Sequence, residues 1–221
     1  LYNNRRVERS TDNGIIYPIV IGVMNILFYL NIVEWIKKLS NTITKKVYSG
    51  RSHDIILIKI RQNRNFAIDF FIILKFIFVL MIFFLDYKNA WVFWIVIYLL
   101  CSNLYTYFYY HLWEETALLE EHQTVHRVRR RFISLFISFI FMMVCYNYIY
   151  LYLSPEHFNI SSSNHHQKII MFSLAKSFVI DNDLAKSQDL TGLWVEISQL
   201  INVFTFITIL LAKSMPKANT R

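Results

Sequence analysis

Phe132–Leu153 reads FISLFISFIFMMVCYNYIYLYL, a run with no charged side chain. As a helix it is long enough to cross the ~30 Å hydrocarbon of a bilayer. The short half-apolar segment Ile169–Ile180, IIMFSLAKSFVI, follows after a polar loop. A second polar break leads into Leu193–Ala212, LWVEISQLINVFTFITILLA, which is again of spanning length. Span, dip, span is the order that decides the fold. Non-helical backbone at membrane depth is tolerated only where protein or a water-filled cavity covers it, so a dip implies close packing between the two spans.

Working outward, the same apolar blocking recurs. Phe66–Leu85 is a third span, interrupted by Asp69 near its start and Lys75 near its middle. Asp86-Tyr87-Lys88-Asn89 makes a tight turn, and Ala90–Tyr110 returns with aromatic residues at both ends, the pattern of interfacial belts. Ile15–Ile36 is apolar but carries Pro18, Gly22, Asn25, Asn31 and Glu34. From Asn31 on it becomes amphipathic through Val47. It reads either as a span running on into an interfacial helix or as a helix lying in the interface throughout. Ile55–Ile60 alternates weakly and reads as a short strand. The expected fold is all-α: a multi-pass helical membrane protein of four to five apolar helices, with a re-entrant or surface helix before the last span.

Composition agrees. Of the 221 residues 55% are hydrophobic and 17% charged, against about 45–50% and about 25% in ordinary soluble domains. The net charge of +8 is clustered between the apolar runs, so it reads as topology and anionic headgroups, with nucleic acid disfavoured. Lys37, Lys38, Lys45, Lys46, Arg51, Lys59, Arg61 and Arg64 face a single acid, Asp54, over residues 37–65. Residues 111–131 form a charged helical segment ending in Arg127, Arg129, Arg130 and Arg131. By the positive-inside rule these two segments and the C-terminal tail are cytoplasmic. Arg5, Arg6 and Arg9 would then lie outside if the first run spans. Three parts follow: 1–65, an apolar or interfacial helix with a basic loop; 66–131, a helical hairpin with a charged extension; and 132–221, the span–loop–span module with a basic tail. Cys101 and Cys145, both within apolar runs, read as small buried hydrophobes.

The matching features are a basic start (Arg129, Arg130, Arg131), an aromatic end to the outer helix, the segments Met171-Phe172-Ser173 and Phe178-Val179, and a last helix from near Gly192 to Leu211-Ala212-Lys213. On these, Phe132–Met215 resembles the two-span pore module of the potassium-channel superfamily. The resemblance implies a pore helix, a symmetric homo-oligomer (a tetramer by analogy) and an ion path between subunits. That family's filter carries Gly-Tyr-Gly-Asp. This loop has Asp181-Asn182-Asp183 instead, an acidic mouth without the glycines that let carbonyls line a filter.

Lys75 falls at the middle of its span, where a cation costs roughly 2.5–3.5 kcal/mol on insertion scales. It is expected to face protein or water rather than lipid, with Asp69 or a polar residue of the last helix such as Asn202 as partner; Glu196 is placed too near the outer surface. Lys37, Lys38, Lys45, Lys46, Arg127, Arg129, Arg130 and Arg131 are candidates for a partner protein or lipid headgroups. His122 and His126 are spaced i, i+4, without the His-Glu-x-x-His order of a zinc helix, so no metal or cofactor is expected. No activated nucleophile, paired intramembrane acid or metal triad appears, and no enzyme is expected. Two function classes remain: a channel-like oligomer subunit with a degenerate pore loop, or a membrane sensor or anchor that recruits a cytoplasmic effector. An analogy of size and layout links the second to bacterial phage-defence complexes, and the expected location is a bacterial inner membrane.

Overall fold

The computed structural model describes residues 15–110, 125–160, 164–180 and 184–214, with side chains described throughout except at 125–128, 131 and 210–214. Within these residues lie the helices α1 (Ile16–Leu30), α2 (Ile32–Val47), α3 (His53–Phe84), α4 (Ala90–Phe108), α5 (Val125–Leu153), α6 (His165–Ser177) and α7 (Leu190–Ser214). Two short strands, β1 (Phe158–Ile160) and β2 (Ala185–Ser187), flank α6. The protein is helical, and among the described residues four helices are long and apolar enough to cross a membrane: His53–Phe84, Ala90–Phe108, Phe132–Leu153 and Leu190–Ile209.

α3 has 32 residues and so runs ~48 Å at ~1.5 Å per residue. That exceeds the ~30 Å hydrocarbon by about 12 residues. The excess is its first half, which absorbs Ile55–Ile60, so the strand expected there is helix instead. A helix once nucleated gains a hydrogen bond for each added residue, and that outweighs a weak β preference. α2 packs along this half, with Asn63 Nδ2 donating to Thr44 Oγ1 at 3.0 Å.

α3 ends at the Asp86 turn. Asp86 N–H donates to Phe83 O and Tyr87 N–H to Ile82 O, the paired closing bonds of a Schellman cap, with Asp86 in the left-handed conformation at φ 50°. Asn89 Oδ1 then accepts from Trp91 N–H and starts α4. We call this the turn end of the bundle, and the end carrying Arg129 and Arg130 the arginine end.

α5 is the central helix: 61% of its apolar window is buried, against 22%, 33% and 28% for α3, α4 and α7. Its inward residues, including Phe141, Met142, Cys145 and Ile149, join Val79 and Phe83 of α3, Val96 of α4, Phe172 of α6 and Phe206 of α7 in one core. Cys145 is buried as expected, whereas Cys101 points outward from α4.

The first apolar run breaks at Asn31, where α1 and α2 meet at 58°. Asn31 is 2% exposed. Its Oδ1 accepts from Val33 N–H and from Ser102 Oγ, and its Nδ2 donates to Thr106 Oγ1. One residue thus caps α2 and ties the bend to α4. α1 alone, with 15 residues, reaches only ~22 Å, so it is the pair that has spanning length.

Candidate functional site at the foot of the descending helix

α6 starts at the turn end. His166 Nε2 lies 3.1 Å from Phe83 O and 3.2 Å from Asp86 Oδ1. Its last turn is fixed much deeper. Ser177 Oγ, which makes its closest side-chain contacts at this level, lies 3.0 Å from Met143 Sδ and 2.7 Å from Gln199 Nε2. Met143 is ten residues, ~15 Å, from the end of α5 at Leu153, and Gln199 is ~13 Å into α7. The chain then comes back: β2 pairs antiparallel with β1, Ile160 opposite Ala185 and Phe158 opposite Ser187. α6 therefore descends between α5 and α7 for about half the length of a span and returns to the end it came from.

A closed polar network holds the foot. Gln199, 0% exposed, donates to Ser173 O, Ser173 Oγ and Ser177 Oγ. Tyr150 Oη donates to Gln199 Oε1 at 2.5 Å. One turn further, Tyr146 Oη meets Ser198 Oγ and accepts from Asn202 Nδ2 at 2.6 Å. Lys176 Nζ pairs with Glu196 Oε2 at 2.9 Å. Glu196 Oε1 is buried without a hydrogen-bond partner among the described residues. The arrangement can hold charge and hydrogen bonds inside an apolar bundle, where an unpaired polar group is costly.

α6 closes with Val179 N–H on Lys176 O and Ile180 N–H on Ala175 O, a second Schellman cap. Val179 takes the left-handed position, φ 57°. Phe178, Val179 and Ile180 are all exposed. Of the apolar residues of this segment only Ile169 and Phe172 are buried, because the inward stripe of α6 is Ile169, Phe172, Ser173 and Ser177.

At the turn end Asp189 starts α7. Its Oδ1 accepts from Gly192 N–H at 2.8 Å and its Oδ2 lies 2.6 Å from His157 Nδ1. The Gly192 N–H, aided by His157, holds the Asp189 carboxyl below its usual range. Gly192 is required by approach: a Cβ there would stand 2.8 Å from His157 O.

Other expected residues fall as follows. Asp181, Asn182 and Asp183 lie outside the described residues, as do 111–124 and the side chains of Arg127 and Arg131. Lys75 is buried as expected, but its partner is neither Asp69 nor Asn202: Nζ donates to Asn103 Oδ1 at 2.7 Å and stands 4.2 Å from the Phe141 ring centroid. Asp69 instead receives Arg130, both carboxylate oxygens at 3.0 Å. Lys37 is not a free surface cation. It pairs with Glu34 at 2.8 Å and with Tyr110, which also bonds Glu34. Lys38, Lys45, Lys46, Arg129 and Arg130 are exposed.

Sequence reading missed Tyr146, Tyr150, Ser173, Ser177, Gln199 and the Lys176–Glu196 pair. The signal was available in the spacing: Glu196, Gln199 and Asn202 recur every three residues on one face of a span, a polar stripe that lipid would not accept. Comparison with protein-family models, curated proteins and solved structures finds no match at all.

Proposed function

We propose that the chain is a subunit of a channel-like integral membrane oligomer, with α6 as a re-entrant helix and the turn end facing outward. The observation that carries this reading is the descent and return of α6 between α5 and α7, pinned at its foot by Gln199 to Ser173 and Ser177. A re-entrant helix needs such cover at membrane depth. The interior of one subunit is filled by the core around α5, so an ion path would run between subunits, as the resemblance to the potassium-channel pore module implies. An acidic mouth made by Asp181 and Asp183 would favour cations over anions. The location proposed is a bacterial inner membrane, with the arginine end cytoplasmic.

Reconstitution into liposomes tests it. Cation flux that falls in Asp181→Asn and Asp183→Asn supports the channel; no flux under any ionic gradient or membrane potential sinks it.

A second reading is a non-conducting sensor or anchor that recruits a cytoplasmic effector. It is favoured by the exposed row Lys38, Lys45 and Lys46 on α2. Under it, a soluble partner is captured by the wild-type chain and lost on Lys45→Gln/Lys46→Gln. Retention of every partner by that variant would exclude the docking role.

A further inference from the structure

Between α3 and α5 at the arginine end lies a groove of about 550 Å³. Its walls are apolar, chiefly Ile73 and Ile77 of α3 and Ile133 and Ile137 of α5. Ile73, Ile77 and Ile133 are each more than half exposed. One end is charged: Arg129 and Arg130 close it, with Asp69 between the two helices. Asp69 engages Arg130 through both oxygens, which fixes the guanidinium at the rim. Arg129 has no ionic partner among the described residues. The rim therefore carries net positive charge beside a wall that is hydrocarbon apart from Ser134.

We infer that this groove is a binding site for one anionic phospholipid. The phosphate sits on Arg129 and the outward side of Arg130, and the first half of one acyl chain lies along the isoleucine walls. Polarity and geometry both select this occupant. The groove follows α5 from Arg130 to Ile137, ~10 Å, which matches the upper half of an acyl chain and nothing longer. Arg130 stands ~35 Å along α5 from Leu153, so the charged end falls at headgroup level when the apolar part fills the hydrocarbon. Guanidinium groups favour phosphate through paired N–H donors. A peptide or a second copy would have to offer an anion and a single narrow apolar edge at the same spacing. Asp69 has a positioning role: it holds Arg130 at the rim rather than letting it extend away. The inference rests on the membrane-spanning reading of α3 and α5 and not on conduction, so it stands or falls separately from the flux assay.

Native mass spectrometry of the detergent-purified chain titrated with dioleoylphosphatidylglycerol or dioleoylphosphatidylcholine tests it. The expected result is retention of one phosphatidylglycerol under activation that strips phosphatidylcholine. Arg129→Gln should weaken that retention roughly fivefold, the usual effect of one basic residue at an anionic surface. Ile133→Trp, which fills the groove and leaves every charge in place, should abolish it. Thermal melts confirm that each variant is folded, and Ile73→Trp serves if Ile133→Trp is not. Equal retention of the two lipids, full competition by inorganic phosphate, or dissociation of an oligomer by the tryptophan variant would each overturn the lipid assignment.

Discussion

Lys75 is a cation in the middle of an apolar helix, and its surroundings decide what it costs. Placement at the span centre costs roughly 2.5–3.5 kcal/mol. A hydrogen bond to a charged group returns about 1.5–3 kcal/mol, and a desolvated aromatic face about 2 kcal/mol. The Asn103 carbonyl and the Phe141 ring therefore roughly cancel the cost, and what remains is a joint between α3 and α4. Asn103→Leu should lower stability by about 3 kcal/mol, because it leaves a buried charge with one partner removed. Lys75→Met/Asn103→Leu should recover most of that loss. Thermal unfolding in detergent measures both, and equal melting of Asn103→Leu and wild type would refute the joint. The cost of Lys75 was legible in the sequence, but its partner was not. Asp69, six residues earlier, stands about 120° round the helix from Lys75 and so faces Arg130 instead. Val179 makes the converse case. A β-branched residue in the left-handed region bears about 1–2 kcal/mol of strain, so Val179→Gly should raise stability by about 0.5–1 kcal/mol after glycine's entropy loss. An unchanged or lower melting temperature would contradict that.

At the scale of the element, α6 depends on its foot. Gln199→Leu keeps the volume but strips Tyr150, Ser173 and Ser177 of their shared partner. It should cost about 3 kcal/mol, as several buried polar groups lose their bonds together. Amide exchange over residues 165–177 should rise while α3 and α4 stay protected; uniform exchange across the bundle would mean that α6 has no separate anchorage. The helix itself was legible as a short segment between two spans. Its inward face was not, because hydropathy assigns Leu174, Phe178 and Val179 to the interior and serines to the surface. The spatial stripe reverses that, placing Ser173 and Ser177 against Gln199. The first run posed a similar problem. Asn31 looked like a blemish in an apolar segment, yet it caps α2 and sets the bend.

At the scale of the molecule, the four long apolar helices were readable directly from run length, since crossing hydrocarbon demands about twenty apolar residues and little else does. The clasp at the turn end was not, because His157, Asp189 and Gly192 converge only when β1 and β2 pair. Its pH response follows from its chemistry. The folded Asp189 carboxyl lies below its ordinary value of 3.8, so the clasp contributes fully above that value and is lost as pH falls through the lower folded value. The Gly192 amide should keep its protection relative to its neighbours from neutral pH down to about 4. Below that it should lose it, and Asp189→Ala should show the loss already at neutral pH. Protection lost already between neutral pH and pH 5 would refute the assignment of the clasp to the Asp189 carboxylate.

The Lys75 joint also bears on insertion into a membrane. Asn103 lies 28 residues after Lys75 in the chain, and the Ser138 carbonyl that Asn103 in turn engages lies 35 residues beyond that. On the membrane-spanning reading, α3 by itself would carry its ammonium into hydrocarbon on the strength of its apolar residues alone, because both partners in the Lys75–Asn103–Ser138 chain lie on later helices. On that reading the α3–α4 hairpin, rather than any single helix, would be the smallest unit in which Lys75 has its partner.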